Sequence, residues 1–239
     1  MKPYNQEQTK KEQVEEMFDN IAPKYDKLNH ILSFNIDKLW RRRVMRIVRR
    51  CAAHNILDVA TGTGDLAIAM ARSIDSAKIL GVDLSEEMLS VARQKVNGAG
   101  LASRIELSKG DAEQLSMVDD ETMDVVTVAF GVRNFENMER GLAEIRRTLK
   151  KGGRLVVLEF STPRSAVVRW AYNLYSHHLL PRIGAMISKD RQAYTYLPES
   201  IDEFPSPERF AEILRGVGFT KVSYRSQSFG IAYIHEAIK

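Results

Sequence analysis

The sequence predicts an α/β fold: a mostly parallel sheet with helices on both faces, closed by an antiparallel hairpin. Three observations predict it. Between residues 51 and 160, short β-type runs alternate with helical patterns, and repeated β-α-β units of this length imply a parallel sheet covered on both sides. The first run opens into a helix through Thr61-Gly62-Thr63-Gly64. Near the C-terminus, Lys221 to Gln227 and Ile231 to Ile238 flank Ser228 to Gly230 as a hairpin, which sets an antiparallel strand at or near one edge of the sheet.

The elements follow in order. Residues 1–50 read as mainly helical. Asn55 to Ala60, rich in Ile, Leu and Val, is a buried strand, and a helix runs from Asp65 to about Ser73. Lys78 to Asp83 is the second strand. Ser85 caps the next helix, with Glu86 and Glu87 in its first turn. Arg104 to Lys109 and Met123 to Phe130 are the third and fourth strands, and Met138 to Leu149 is a helix. Lys151-Gly152-Gly153 is its stop signal and releases the chain into a fifth strand, Arg154 to Phe160. Residues 161–205 form an insertion with an apolar stretch, Val167 to Leu180, kinked at Pro181. A last helix spans Ser206 to Arg215 and ends at Gly216-Val217-Gly218. The whole is one domain, 1–239: a helical cap (1–50), a core (51–160), a lid-like insertion (161–205) and a closing helix and hairpin (206–239).

The chain has 239 residues, 44% of them hydrophobic, enough for a core without metals or disulfides. A single cysteine, Cys51, allows no internal disulfide. The first residues carry no apolar leader, and no apolar run reaches the roughly 18 residues that span a membrane. A soluble, cytoplasmic protein is expected. The net charge is +4, with Arg41, Arg42, Arg43, Arg46, Arg49 and Arg50 clustered opposite Trp40, Val44, Ile47, Val48 and Cys51 on a helix. That face is a solvated arginine surface or a patch for anionic lipid headgroups.

In an open parallel sheet, ligands sit outside the carboxyl ends of the strands, and the distinctive loops fall there. Gly62 and Gly64 let the backbone approach a ligand, and the helix start behind them offers unpaired N–H groups. Gly62-x-Gly64-x-x-Ala67 also fits the dinucleotide pattern. Asp83 closes the second strand, where a carboxylate can accept from a ribose diol; nicotinamide enzymes share the feature. Asp111 after the third strand can take an exocyclic adenine amine, and the Ala112 amide can reach a ring nitrogen.

This order of motifs, followed by Leu149-Lys150-Lys151-Gly152-Gly153, resembles the class I S-adenosylmethionine methyltransferases. Four further stretches look like the ubiquinone/menaquinone-biosynthesis C-methyltransferase family: Phe18-Asp19-x-Ile21-Ala22-x-x-Tyr25-Asp26, Phe130-Gly131-Val132-Arg133-Asn134, Leu158-Glu159-Phe160-Ser161-x-Pro163 and Tyr194-x-Tyr196-Leu197-Pro198-x-Ser200-Ile201. The likeness runs from about Val14 to the C-terminus. It implies a Rossmann-like, seven-stranded class I fold with N-terminal helices and a helical insertion after strand five. It implies S-adenosylmethionine as cofactor, with Thr63, Asp83, Asp111 and Ala112 as contacts, and a prenylated quinol as acceptor. Demethylmenaquinol is the first expectation and a methoxy-benzoquinol precursor of ubiquinone the second. Ala129 departs from the family's frequent serine, so a hydroxyl contact to the cofactor is absent there.

The sulfonium activates the methyl group; the protein must align the partners and manage charge. A quinol carbon becomes nucleophilic as its neighbouring hydroxyl loses a proton. Arg133, directly or through a water, is expected to stabilise the phenolate and Asn134 to hold a quinol oxygen, with Gly131 permitting the turn before them. Tyr25, Tyr172 and Tyr175 are candidates for the acceptor pocket. No histidine spacing resembles a metal site, and no metal is expected. A nucleic-acid substrate is not expected: an Asp/Asn-Pro-Pro-aromatic motif is missing, and Cys51 lies in the arginine-rich helix. A prenylated acceptor calls for work at a membrane surface. Residues 161–205 and the N-terminal helices would form a lid, and Arg41, Arg42 and Arg46 would assist docking. Self-association into a homodimer stays open.

Overall fold

A computed structural model describes residues 2–4, 7–26, 29, 33, 35–175 and 191–239, without the side chains of Ala171 and of residues 191–194. Seven strands form one sheet: β1 (Asn55–Val59), β2 (Lys78–Asp83), β3 (Ile105–Lys109), β4 (Met123–Ala129), β5 (Leu149–Phe160), β6 (Thr220–Gln227) and β7 (Ala232–Ile238). Their order is β3-β2-β1-β4-β5-β7-β6. The first five pair in parallel, and β7 runs antiparallel between β5 and β6. The order reverses between β1 and β4, so the crevice that such sheets use for ligands lies above that pair.

The helices are α1 (Lys10–Ile21), α2 (Ile36–Arg49), α3 (Asp65–Ser73), α4 (Glu86–Gly98), α5 (Met138–Thr148), α6 (Ala166–Asn173), α7 (Arg191–Glu203) and α8 (Pro207–Gly216). Strand alternation divides the core. Ile56, Ile79, Val125 and Val156 meet Trp40, Val44, Ala67 and Met70 on one face. Leu57, Val126, Leu155 and Val157 meet Leu142, Ile145, Phe210 and Leu214 on the other. A third apolar cluster joins Val14, Met17 and Ile21 of α1 to Met88 and Tyr196. Ser85 caps α4 as expected, its hydroxyl accepting from the Met88 amide at 3.0 Å.

The boundary expected at Lys151–Gly153 lies elsewhere. Helix α5 stops at Thr148, Leu149 turns extended (φ −69°, ψ 137°) and β5 begins there. The strand pairs Met123 with Leu149 and then shifts register before Val125 meets Arg154. Gly152 takes the positive φ (+77°) inside this irregularity, so the glycines bend a strand rather than end a helix. Pro181, His30, His177 and His178 lie outside the described residues.

Candidate active site

A cleft whose empty space, mouth included, is about 740 Å³ opens above the ends of β1, β2, β3 and β4. Its floor is the loop after β1. Ala60 (φ +54°), Gly62 (φ +57°) and Gly64 (φ +78°) turn the chain sharply into α3, and the Gly62 amide donates to Asp83 Oδ2 at 2.7 Å. The Ser85 amide donates to Asp83 Oδ1 at 3.0 Å. Burial pushes the Asp83 carboxyl up despite these bonds. The Leu84 amide also bonds the carboxylate, which still keeps acceptor capacity for a ribose hydroxyl.

Beneath the loop, Asp58 is closed to solvent and accepts from Thr61 Oγ1 at 2.7 Å and Thr127 Oγ1 at 2.5 Å. Burial pushes its carboxyl up to about 6, and the two hydroxyls offset only part of that. Asp58 ties the loop to β4 and does not face the cleft.

Gly62, Asp83, Asp111, Ala112 and Asn134 all line the cleft. Thr63 does not: its buried hydroxyl donates to Asp26 Oδ1 at 2.5 Å, and Lys95 Nζ reaches the same hydroxyl at 3.2 Å while pairing with Asp26 and Asp65, each at 2.5 Å. Thr63 thus ties the glycine-rich loop to Asp26, which follows the short turn after α1.

The roof over the cleft is α1, one of the N-terminal helices expected to form part of a lid, but the contacts of its lysines went unread in the sequence. Lys11 Nζ pairs with Asp111 Oδ2 at 3.0 Å, which raises the lysine's pKa. Lys10 Nζ donates to the carbonyls of Arg133 (2.9 Å) and Phe135 (2.8 Å), and burial lowers its pKa. Ser85 Oγ donates to Asp19 Oδ1 at 2.5 Å, and Val14 and Phe18 line the cleft. A signal for α1 was present: Thr9-x-x-Glu12 is a capping box, with Thr9 Oγ1 accepting from the Glu12 amide and Glu12 Oε2 from the Thr9 amide.

After β4 the chain makes a single 3-10 turn, Val132–Asn134. Gly131 has an ordinary φ of −112°; the positive φ falls on Phe130 (+60°). The expected reason for Gly131 is therefore corrected. A Cβ there would lie 2.5 Å from Ala60 Cβ, so close approach of the two loops, not backbone freedom, demands glycine.

Arg133 turns down from this corner. Its Nη1 donates to Glu159 Oε1 at 2.8 Å and to the Phe130 carbonyl at 2.5 Å, and its guanidinium stands over the Phe160 ring at 5.5 Å. Its buried Nε has no partner among the described residues. The Arg133 charge pulls down part of the rise that burial causes in the pKa of Tyr25, Tyr172 and Tyr196, the last pushed up to about 12. Tyr196 donates to Asn134 Oδ1 at 3.2 Å. Tyr25 lines the cleft, as expected, and Tyr175 packs against the α1 cluster.

Arg41 is corrected. It is not on a lipid-facing surface: it pairs with Asp37, lies 3.6 Å from Asp65 and sits over the Phe130 ring at 5.9 Å. Arg43 bonds Gln227, while Arg42, Arg46, Arg49 and Arg50 are exposed. Among the described residues no group of three His, Cys, Asp or Glu could hold a metal, and no helix is long and apolar enough to cross a membrane.

A sheet in this order, with an acidic strand end beside a glycine-rich turn, defines the class I S-adenosylmethionine-dependent methyltransferase fold. A possible histamine N-methyltransferase from Thermotoga maritima shares it, with a TM-score of 0.65 at 19% identity over 94% of this chain and 99% of that one. The chain belongs to the ubiE/COQ5 methyltransferase family, whose model matches residues 6–239, and is a methyltransferase. It is 44% identical to the demethylmenaquinone methyltransferase of Bacteroides fragilis, over 100% of this chain and 97% of that protein. It is 46% identical to the ubiquinone/menaquinone biosynthesis C-methyltransferase of Geobacter sulfurreducens, over 96% of this chain and 90% of that protein.

Proposed function

We propose that the protein methylates a ring carbon of a prenylated quinol in quinone biosynthesis, with demethylmenaquinol as the acceptor. The observation that carries this reading is one cleft that runs from the acidic strand ends, Asp83 and Asp111, to Tyr25, Phe130 and Asn134. One end suits an adenosine and the other a flat ring with polar edges. The name of the Bacteroides relative supports the choice of acceptor.

S-adenosylmethionine is the cofactor; when bound, it supplies a methyl group activated by its sulfonium. Asp83 holds the ribose diol, Gly62 permits backbone approach, Asp111 and Ala112 face the adenine, and Thr63 acts through Asp26 on the shape of the loop. Val14 and Phe18 of α1 exclude water. Asn134, its Oδ1 occupied by Tyr196, keeps its amide N–H groups to donate to a quinol oxygen. Arg133 sets a positive field behind that oxygen, directly or through a water on its Nε. Glu159 fixes the guanidinium and offsets part of its charge. Residues 161–205 and α1 act as the lid. The enzyme meets its acceptor at a bilayer surface.

The test is lipid extraction from a strain lacking the protein, together with turnover of the purified enzyme. Accumulated demethylmenaquinone and turnover of a short-chain demethylmenaquinol are expected. Accumulation of a methoxy-benzoquinol precursor would select the ubiquinone acceptor, and unchanged quinones would refute the reading.

A further inference from the structure

Six large apolar side chains stand exposed at one corner of the fold. Val167, Trp170 and Leu174, on α6 and its continuation, are 76%, 69% and 52% exposed and fall at i, i+3 and i+7 on one stripe. Tyr175, off that stripe, packs against the α1 cluster. Phe229 is 84% exposed at the β6–β7 tip. Ile36 and Leu39, in the first turn of α2, complete the set.

The three elements adjoin. The tip packs against the residues before α6, since a Cβ on Gly230 would lie 3.7 Å from Pro163 Cα and 3.9 Å from the Arg164 amide. Trp40 Nε1 of α2 donates to Ser228 Oγ of the tip at 2.9 Å. The tip itself is strained: Ser228 (φ 44°), Phe229 (φ 60°) and Gly230 (φ 94°) lie consecutively in left-handed space, a costly conformation for a bulky residue. That conformation holds an aromatic ring out in water, where it makes no use of its apolar surface. The tip follows Gln227 at the end of β6 that pairs with Ala232, and Ala232 pairs with Phe160 at the carboxyl end of β5. The corner therefore lies on the same side of the sheet as the cleft.

Exposed cations border it. Arg169 on α6 is exposed, while Arg164 pairs with Glu208. Arg42 and Arg46 of α2 are exposed. Aromatic and aliphatic side chains ringed by arginines match the boundary between headgroups and acyl chains of an anionic bilayer.

We infer that α6 and the Phe229 tip insert into the surface of an anionic bilayer and bring the mouth of the cleft to the lipid. The inference rests on the reading of the acceptor as a membrane-dissolved quinol. It replaces an arginine patch on α2 as the main docking element with an apolar stripe that α2 only flanks.

The test uses vesicles of phosphatidylcholine with and without phosphatidylglycerol, and the variant V167S/W170S/F229S. Wild type should cosediment with the anionic vesicles. The variant's partition coefficient should fall at least on the order of 1,000-fold, since each of the three buried side chains contributes about 1.5 kcal/mol or more and each 1.4 kcal/mol is tenfold. Brominated acyl chains should quench wild-type tryptophan fluorescence, and W170F should lose that quenching. Turnover of a soluble short-chain quinol by F229S, whose change lies outside the lid, should equal that of wild type. If the triple variant does not fold, W170S and F229S alone should each show a fall of about tenfold. Equal partitioning of variant and wild type overturns the inference. So does a wild-type dimer that the variant dissociates while vesicle binding stays unchanged, because a second copy then covers the stripe. Stripe-dependent binding by a protein that turns over no quinol supports the docking surface and overturns the proposed acceptor instead.

Discussion

Glu159 receives Arg133 twice: Oε1 accepts from the guanidinium at 2.8 Å, and Oε2 from the Arg133 backbone amide at 3.3 Å. Both side chains are nearly closed to solvent, at 1% and 7% exposure. The end of β5 thus fixes the turn after β4.

Removing one partner of such a pair leaves a buried charge, a loss of about 3–5 kcal/mol. Arg133→Ala should therefore lower the melting temperature sharply, and R133M/E159Q should recover most of the loss. Turnover separates packing from chemistry. It should stay depressed on the order of 100-fold in both variants, and Arg133→Lys should rescue little, lacking the planar fork. Recovery of turnover along with stability in the double variant would leave Arg133 a purely structural role.

Asp83→Ala should weaken S-adenosylmethionine binding about 10- to 100-fold, the equivalent of a lost charge-assisted hydrogen bond of about 1.5–3 kcal/mol. Because burial raises the Asp83 pKa, wild-type affinity should also decline toward acid pH as the diol acceptor is protonated. Titration calorimetry across pH checks both, and an unchanged dissociation constant in the variant removes Asp83 from the site.

Lys11 competes for the carboxylate that an adenine amine would use. The Lys11–Asp111 pair is partly exposed, so it is worth at most about 1 kcal/mol. Lys11→Met should tighten cofactor binding by up to about fivefold and speed association, with little change in melting temperature. Weaker binding in stopped-flow measurements would mean that Lys11 is itself a cofactor contact.

Asp58 makes the fold pH-dependent in a defined direction. Its pKa rises from 3.8 to about 6 on folding, so its contribution is present below pH 3.8 and is lost as pH rises from there to about 6. Above that window the ionised, buried carboxylate costs up to about 3 kcal/mol. Asp58→Asn should thus match or exceed wild-type stability at neutral pH. Its advantage should vanish at low pH. His235, pushed down to about 4 by burial, drives stability the other way over an overlapping range. It cancels when variant and wild-type melts are subtracted at each pH.

Gly131→Ala forces a Cβ to within 2.5 Å of Ala60 Cβ and 3.2 Å of Val128 Cγ1, an overpacking of about 1–3 kcal/mol. The strain should be relieved by moving the Val132–Asn134 turn. Turnover should therefore fall by more than the shift in melting temperature suggests, with cofactor affinity nearly unchanged.

The five parallel strands were legible because a strand covered on both faces is a short apolar run, as in Ile56-Leu57 and Val125-Val126. Gly62, Asp83, Asp111 and Ala112 were legible as cleft residues because close backbone approach and a carboxylate at a strand end need particular residues at fixed spacing. The packing around Arg133 was not. Glu159 is separated from Arg133 by the whole of α5, and only the neighbouring places of β4 and β5 bring them together. The N-terminal helices read as a lid, but nothing in the sequence placed Lys10 against the turn after β4 or Lys11 against Asp111. The arginine run misled for a related reason: Arg41 has the composition of a surface residue, but Asp37 and Phe130 hold it inward.

The place of β7 bears on how the molecule is made. It is the last strand in sequence order, yet it lies inside the sheet, between β5 and β6. As the chain leaves the ribosome, β5 pairs with β4 early on one side, while its other edge waits for residues 161–231 to emerge. An unpaired edge running through Leu155, Val156 and Val157 is a template for pairing with other chains, and closing so long a loop is slow. Nascent protein should therefore be most prone to aggregate, and most dependent on chaperones, in the interval before Ala232 to Ile238 is synthesised.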